Sequence, residues 1–280
     1  MCYCRGALRS SSFFQICVAR RRVSAYNGHC SYSIVWRHVT FACRYDGFLL
    51  RKAAQLGKAL ARAFVSPTGI PHGSLNLRAG VVAGESNLTA TATAGTLLLE
   101  FCTLSRLTQT PTYTSLAHTA LAALLRHRSA HGLLGGHIDI TNGIWGHRTA
   151  SLGSGSDSLY EYLLKSALLL GSSSALDLMT HFTDLRAAIK RHLFHRPWYK
   201  DIDYETLTLN FPLLDALQAF WPGVEIMSGH HLDALDTLMA FAGVWQLHGC
   251  LPEGFNIVEG RVPESRASSP LRPELIESAL

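Results

Sequence analysis

The sequence predicts an all-α chain of paired helices with small β-hairpins. From Phe48 onward apolar residues recur at helical spacing, loops marked by Gly and Pro separate the helical stretches, and "HIDITNGIWGH" alternates as a strand pair would. With 280 residues, 48% hydrophobic and 16% charged, the chain has enough apolar surface for a large core in one or two domains. No apolar run reaches the roughly 20 residues of a membrane-spanning helix.

The elements follow in order. "LLRKAAQLGKALARAF" (49–64) reads as a helix that ends before the breakers of "VSPTGIPHG". "TAGTLLLEFCTLSRLT" (93–108) and "TYTSLAHTALAALLRHR" (112–128) read as two more, separated by Pro111. In 137–147, Asn142-Gly143 is a favoured hairpin turn. "SDSLYEYLLKSALLLG" starts a helix at Asp157 behind a Ser156 cap, and a Ser-capped helix runs to Phe194. "LLDALQAFW" (213–221) reads as a helix stopped by Pro222-Gly223, "HHLDALDTLMAFAGVWQLH" as the next, and "PLRPELIESAL" as a helix begun at Pro273. Helices paired around one core fit a bundle, a solenoid or an α/α toroid.

Charge is uneven. Residues 1–84 carry +11 and the remainder −6, within a chain total of +5. Residues 1–48 therefore read as a basic, Cys-rich segment of doubtful structure, apart from a domain over 49–280. Its "SSFFQICVA" is a weak targeting signal, because "RRR" follows and no cleavage site is clear. A basic arm raises nucleic acid as a partner, but nothing else supports it, and the expectation is no nucleic acid. The cysteines show no paired metal-binding spacing, so no metal ligand is assigned and buried free thiols are expected at Cys102 and Cys250.

The acids carry the functional signal. Asp157 and Glu161 share a helix face one turn apart, and Glu274 and Glu277 open the last helix. Helix starts stabilise carboxylates, so one such pair means little. Here Tyr160, Tyr162, Phe220, Trp221 and Phe255 accompany them, Glu100 interrupts the apolar "LLLEF", and Glu253 follows Pro252. Carboxylates beside aromatic faces suit carbohydrate, and two carboxyls flanking a glycosidic bond supply the acid and base of hydrolysis.

At these residues the chain resembles glycoside hydrolase family 47, the class I α-1,2-mannosidases, and within it the ER degradation-enhancing α-mannosidase-like branch. The stretches that carry the resemblance are "SPTGIPHGSLNLRAGV", "TAGTLLLEFCTLSRLT", "GSGSDSLYEYLLKSALLLG", "LQAFWPGVEIMSG", "LPEGFN" and "PLRPELIES", in the family's order from Leu49 to Ser278. The resemblance implies an α/α toroid, truncated at both ends in this chain. It implies inverting hydrolysis of α-1,2-linked mannose on N-glycans of misfolded glycoproteins in the endoplasmic reticulum, with membrane association of a full-length protein possible. It makes Asp157 and Glu253 catalytic carboxylates and Glu274 the base that activates water, and it places Glu100, Glu161, Arg272 and Glu277 along the mannose site. Gly155 matches the degradation-enhancing branch, where the processing enzymes carry arginine. The family also uses calcium seated on a threonine beyond "LRPE", a ligand that these 280 residues do not contain. The family's early Phe-Glu-x-x-x-Arg acid is missing as well, since no Glu precedes Glu85. That departure keeps a rival reading open, a non-catalytic mannose-binding adaptor. "SNLT" adds a glycosylation sequon at Asn87.

Overall fold

The computed structural model describes residues 14–19, 36–41, 46–171 and 173–280. Two compact units divide the chain after Lys52. In the first, β1 (Phe14–Ala19) pairs antiparallel with β2 (Trp36–Phe41), with Phe14 opposite Phe41. Asp46 Oδ1 then accepts the Phe48 N–H at 2.8 Å, where α1 (Phe48–Leu60) begins. Cys2, Cys4, Cys30 and Cys43 lie outside the described residues.

The second unit is mostly helical, as the spacing predicts. α1 tightens into a 3-10 turn over Ala61–Phe64. Its Gly57 is buried so closely that a Cβ there would lie 2.4 Å from Leu104 and 3.2 Å from Tyr113. β3 (Leu88–Ala90) leads into α2 (Thr91–Gly95) and α3 (Leu98–Thr108). The sequence predicts one helix across 93–108, whereas the structure breaks it at Thr96-Leu97. Thr96 folds its hydroxyl back to the Ala92 carbonyl at 2.8 Å, a local bond that competes with helix continuation. α4 (Thr112–Arg126) follows, then β4 (His137–Asp139) and β5 (Trp145–His147). The predicted hairpin forms, in a sheet ordered β3-β4-β5. Its loop is longer than a two-residue Asn-Gly turn: Asp139 N–H bonds the Ile144 carbonyl at 2.8 Å, leaving 140–143 between, with Gly143 at φ +76°.

β6 (Thr149–Ala150) precedes α5 (Asp157–Leu170), which ends at left-handed Gly171, and α6 (Ser173–His192). A region of short strands comes next: β7 (Phe194–His195), β8 (Trp198–Tyr199), β9 (Asp201–Asp203), β10 (Leu209–Phe211) and β11 (Leu213–Asp215). β7 pairs with β8, and β9 sits between β10 and β6. The predicted helix over 213–221 is corrected here. Leu213–Asp215 is a strand, Ala216–Phe220 a 3-10 turn, and Pro222 opens α7 (Trp221–Met227) instead of stopping a helix. Proline fits a first turn because its missing N–H has no helical partner there anyway. α8 (His231–His248), β12 (Gly254–Asn256), a 3-10 turn at Glu264–Arg266 and α9 (Glu274–Ala279) complete the order. β12 pairs with β11, Gly254 opposite Asp215. Among the described residues no helix is long and apolar enough to cross a membrane.

One core cluster joins β11 to the C-terminal helices: Leu214, Ala216, Ala219, Phe241, Val244, Leu251 and Leu275. Beside it, Glu225 on α7 is fully buried. It accepts from Tyr199 Oη at 2.9 Å and Arg186 at 3.2 Å, while Arg186 and Lys190 also hold Asp233 at 3.3 and 2.8 Å. Removing one partner of a buried ion pair strands the other charge without water. Arg186→Met should therefore cost about 3–5 kcal/mol, read as a lowered urea midpoint, and adding Glu225→Gln should return much of it. Parent-like stability of the single variant would show that the network contributes nothing.

Candidate functional site

α5 carries the first acid. Ser156 occupies the cap position but makes no capping bond, and its buried hydroxyl has no partner among the described residues. Asp157 itself accepts the Ser158 N–H at 2.8 Å. The helix behind it is packed tightly, with Leu159 and Leu163 fully buried. A Cβ on Gly95 would fall 2.3 Å from Leu159, so α2 approaches α5 only because residue 95 has no side chain. Burying this face turns Glu161 and Lys165 toward α9.

α9 is placed by the meeting of two motifs. Ser278, in "PELIES", donates to the Ala219 carbonyl at 2.6 Å and accepts the Gly223 N–H of "WPG" at 3.1 Å. Leu275 is anchored in the core cluster. Glu277 thereby reaches Lys165 at 3.4 Å, and Lys165 also pairs with Glu161. Burial works against the Lys165 charge, but these two carboxylates outweigh it and raise its pKa. Glu100 joins the same side through Tyr162 Oη at 2.7 Å. Burial and Glu100 together push Tyr162 up to about 12.

The second group lies at the β11–β12 pair. Arg272 holds Glu253 with both Nε, at 3.0 Å, and Nη2. This fork keeps the Glu253 carboxyl below the usual carboxylate range. Glu274 also acts on Arg272, and its Oε2 is buried with no hydrogen bond among the described residues. Asp215, which the sequence reading passed over, connects the groups. Its Oδ1 caps the 3-10 turn through the Leu217 N–H at 2.9 Å, and a Cβ on Gly153 would touch it at 3.0 Å, so it stands beside the loop that delivers Asp157. Asp157 and Asp215 are both shifted upward, first by burial and then by neighbouring acids: Asp215 and Glu161 act on Asp157, and Glu253 on Asp215. Read as a helix interior, Asp215 looks like a solvated face. Its signal was an acid closing an apolar strand just before a turn.

Asp157, Glu161, Tyr162 and Glu100 are thus linked in one group, which Glu277 joins through Lys165, and Glu253, Arg272 and Glu274 in another. The aromatic lining needs correction, because Tyr160, Phe220 and Trp221 are buried core, with Tyr160 and Trp221 edge to face at 6.0 Å. Tyr162 and Phe255 remain partly accessible. Cys102 and Cys250 are free, as expected, but half-exposed. Among the described residues no three Asp, Glu, His or Cys side chains gather closely enough to hold a metal ion. They do not by themselves form the multi-oxygen cage that calcium needs.

The second unit is a helical scaffold that presents clustered acids. Its structure matches that of the alpha-1,2-mannosidase from Trichoderma reesei with a TM-score of 0.69, over 82% of this chain and 55% of that one, at 24% identity, a likeness of fold. The family model of Glycosyl hydrolase family 47 matches residues 23–280. The chain belongs to that family. Its relatives include Alpha-mannosidase I MNS4 of Arabidopsis thaliana and ER degradation-enhancing alpha-mannosidase-like protein 2 of Homo sapiens. Each is 41% identical over 84% of this chain, which spans 37% and 40% of their lengths.

Below the acids, Asp201 is lifted to about 6, chiefly by burial and further by Asp215. The native state thus holds a proton that the unfolded chain releases near pH 4. Its stabilising contribution is complete below pH 4 and disappears as pH rises through 6. Asp201→Asn should flatten the decline in thermal midpoint over that interval. An unchanged pH profile would mean Asp201 titrates normally.

Proposed function

We propose that this chain carries the mannose-hydrolysing site of an inverting α-1,2-mannosidase-like protein that trims high-mannose N-glycans of misfolded glycoproteins in the endoplasmic reticulum. Residues 49–280 are part of its catalytic domain, an α/α toroid, and 1–48 a separate basic segment. The observation that carries this reading is the division of labour among the acids. Burial favours the protonated form of Asp157, which suits a carboxyl that donates to the departing glycosidic oxygen. Glu274 offers a buried carboxylate oxygen with no protein partner, suited to taking a proton from the attacking water. Glu253, held ionised by Arg272, can oppose the positive charge that develops at the sugar ring. Glu100, Glu161 and Glu277 offer acceptors for sugar hydroxyls. The names of the relatives support the glycan and the compartment.

Mannose release from a high-mannose N-glycan, with calcium supplied, tests this. Glu274→Gln and Asp157→Asn should each lower the rate by about 10²–10⁴-fold, the usual worth of positioned acid–base groups. Asp215→Asn should shift the alkaline limb of the pH profile downward, because one charge raising Asp157, the proton donor, is gone. Folded protein that binds the glycan but releases no mannose would replace the hydrolase by the mannose-binding adaptor.

A further inference from the structure

Asn87 lies outside the acid cluster, in the segment that enters β3. It is exposed, and among the described residues no hydrogen bond holds its side-chain amide. Its backbone is fixed: the Asn87 carbonyl accepts the Ile140 N–H at 2.9 Å, and Ser86 Oγ accepts the Leu88 N–H at 3.1 Å. The third sequon residue is in the opposite situation. Thr89 is 1% exposed, and its hydroxyl donates to the Pro71 carbonyl at 2.8 Å. The sequon therefore has an open acceptor and a closed recognition group.

We propose that Asn87 is an N-glycan attachment site, modified while the chain is being made and sealed when β3 pairs with β4. The inference rests on the endoplasmic-reticulum reading above, since the transferase and its lipid-linked donor face that lumen. Asn87 Nδ2 forms a bond to the anomeric carbon of an oligosaccharide carried on a polyprenyl diphosphate. The carbon–oxygen bond to the diphosphate breaks, the lipid diphosphate leaves, and the amide proton passes to the transferase. No electron is exchanged. The enzyme must reach the Thr89 hydroxyl, which is accessible only before that hydroxyl turns inward to Pro71. Once attached, the glycan projects beside Leu88 and Ile144, which are 40% and 66% exposed and lie on either side of Asp139 in the sheet. It shields apolar surface that the protein itself leaves uncovered.

The test is translation of the whole chain into microsomes behind a cleavable secretory leader, with a second sequon on a flexible C-terminal tail to report entry. Two glycans removable by peptide N-glycosidase are expected. Asn87→Gln and Thr89→Ala should each lose one of them, and Thr89→Ser should keep both. Unglycosylated chain that is folded first and then given to opened microsomes should gain only the tail glycan. A modified tail with Asn87 bare overturns the inference and leaves the mannosidase reading intact. Modification of Asn87 on already folded chain overturns the sealing step. A glycan at Asn87 without mannose release in the preceding assay would instead count against the hydrolase alone.

Discussion

The close burial of α5 is the constraint on which the rest of the site depends. One face of this helix is pressed against α2 at Gly95, and Tyr160 packs on Trp221. Burying Leu159 and Leu163 each removes an apolar side chain from water, worth roughly 2 kcal/mol apiece. It also fixes the rotation of the helix, so that Glu161 and Lys165 meet Glu277, while the loop before Asp157 runs beside Asp215. A helix rotated by even one residue would bury acids and expose leucines.

The second organising feature is that chemically similar carboxyls receive different surroundings. Glu253 has a forked arginine, Asp157 and Asp215 have burial and each other, and Glu274 has a buried oxygen that no other described residue bonds. Burial raises a carboxyl's pKa and a nearby cation lowers it, so Asp157 and Asp215 are pushed toward the protonated form and Glu253 toward the ionised one. That separation is what the proposed roles of donor, base and electrostatic support require of similar side chains. The β11–β12 pair makes it possible, because it sets Asp215 opposite Gly254, one residue from Glu253.

Much of this was legible in the residues. Helical spacing located α1, α4, α5, α6 and α8, and Asn142-Gly143 located the hairpin, because each depends on contacts within a few residues. The motif order pointed to the family to which the chain belongs. The failures came where distant contacts override local pattern. The 213–221 stretch has helical spacing, but its first three residues, Leu213–Asp215, are recruited as a strand by β12, and Asp215 was missed with them. Tyr160, Phe220 and Trp221 looked like a sugar platform because sequence shows neighbours, not direction.

The sequence by itself determined which segments are helical, which acids begin helices and which chemistry those acids suit, since propensity, capping and periodicity act over a few residues. Only the tertiary structure decided which acids share a site and which of them is buried, paired or left open. It also decided that the Thr89 hydroxyl turns inward while Asn87 stays outside. The physical reason is that desolvation and charge pairing are set by groups brought together from 100 or more positions away, as Lys165 and Glu277 are, and no local pattern encodes that distance.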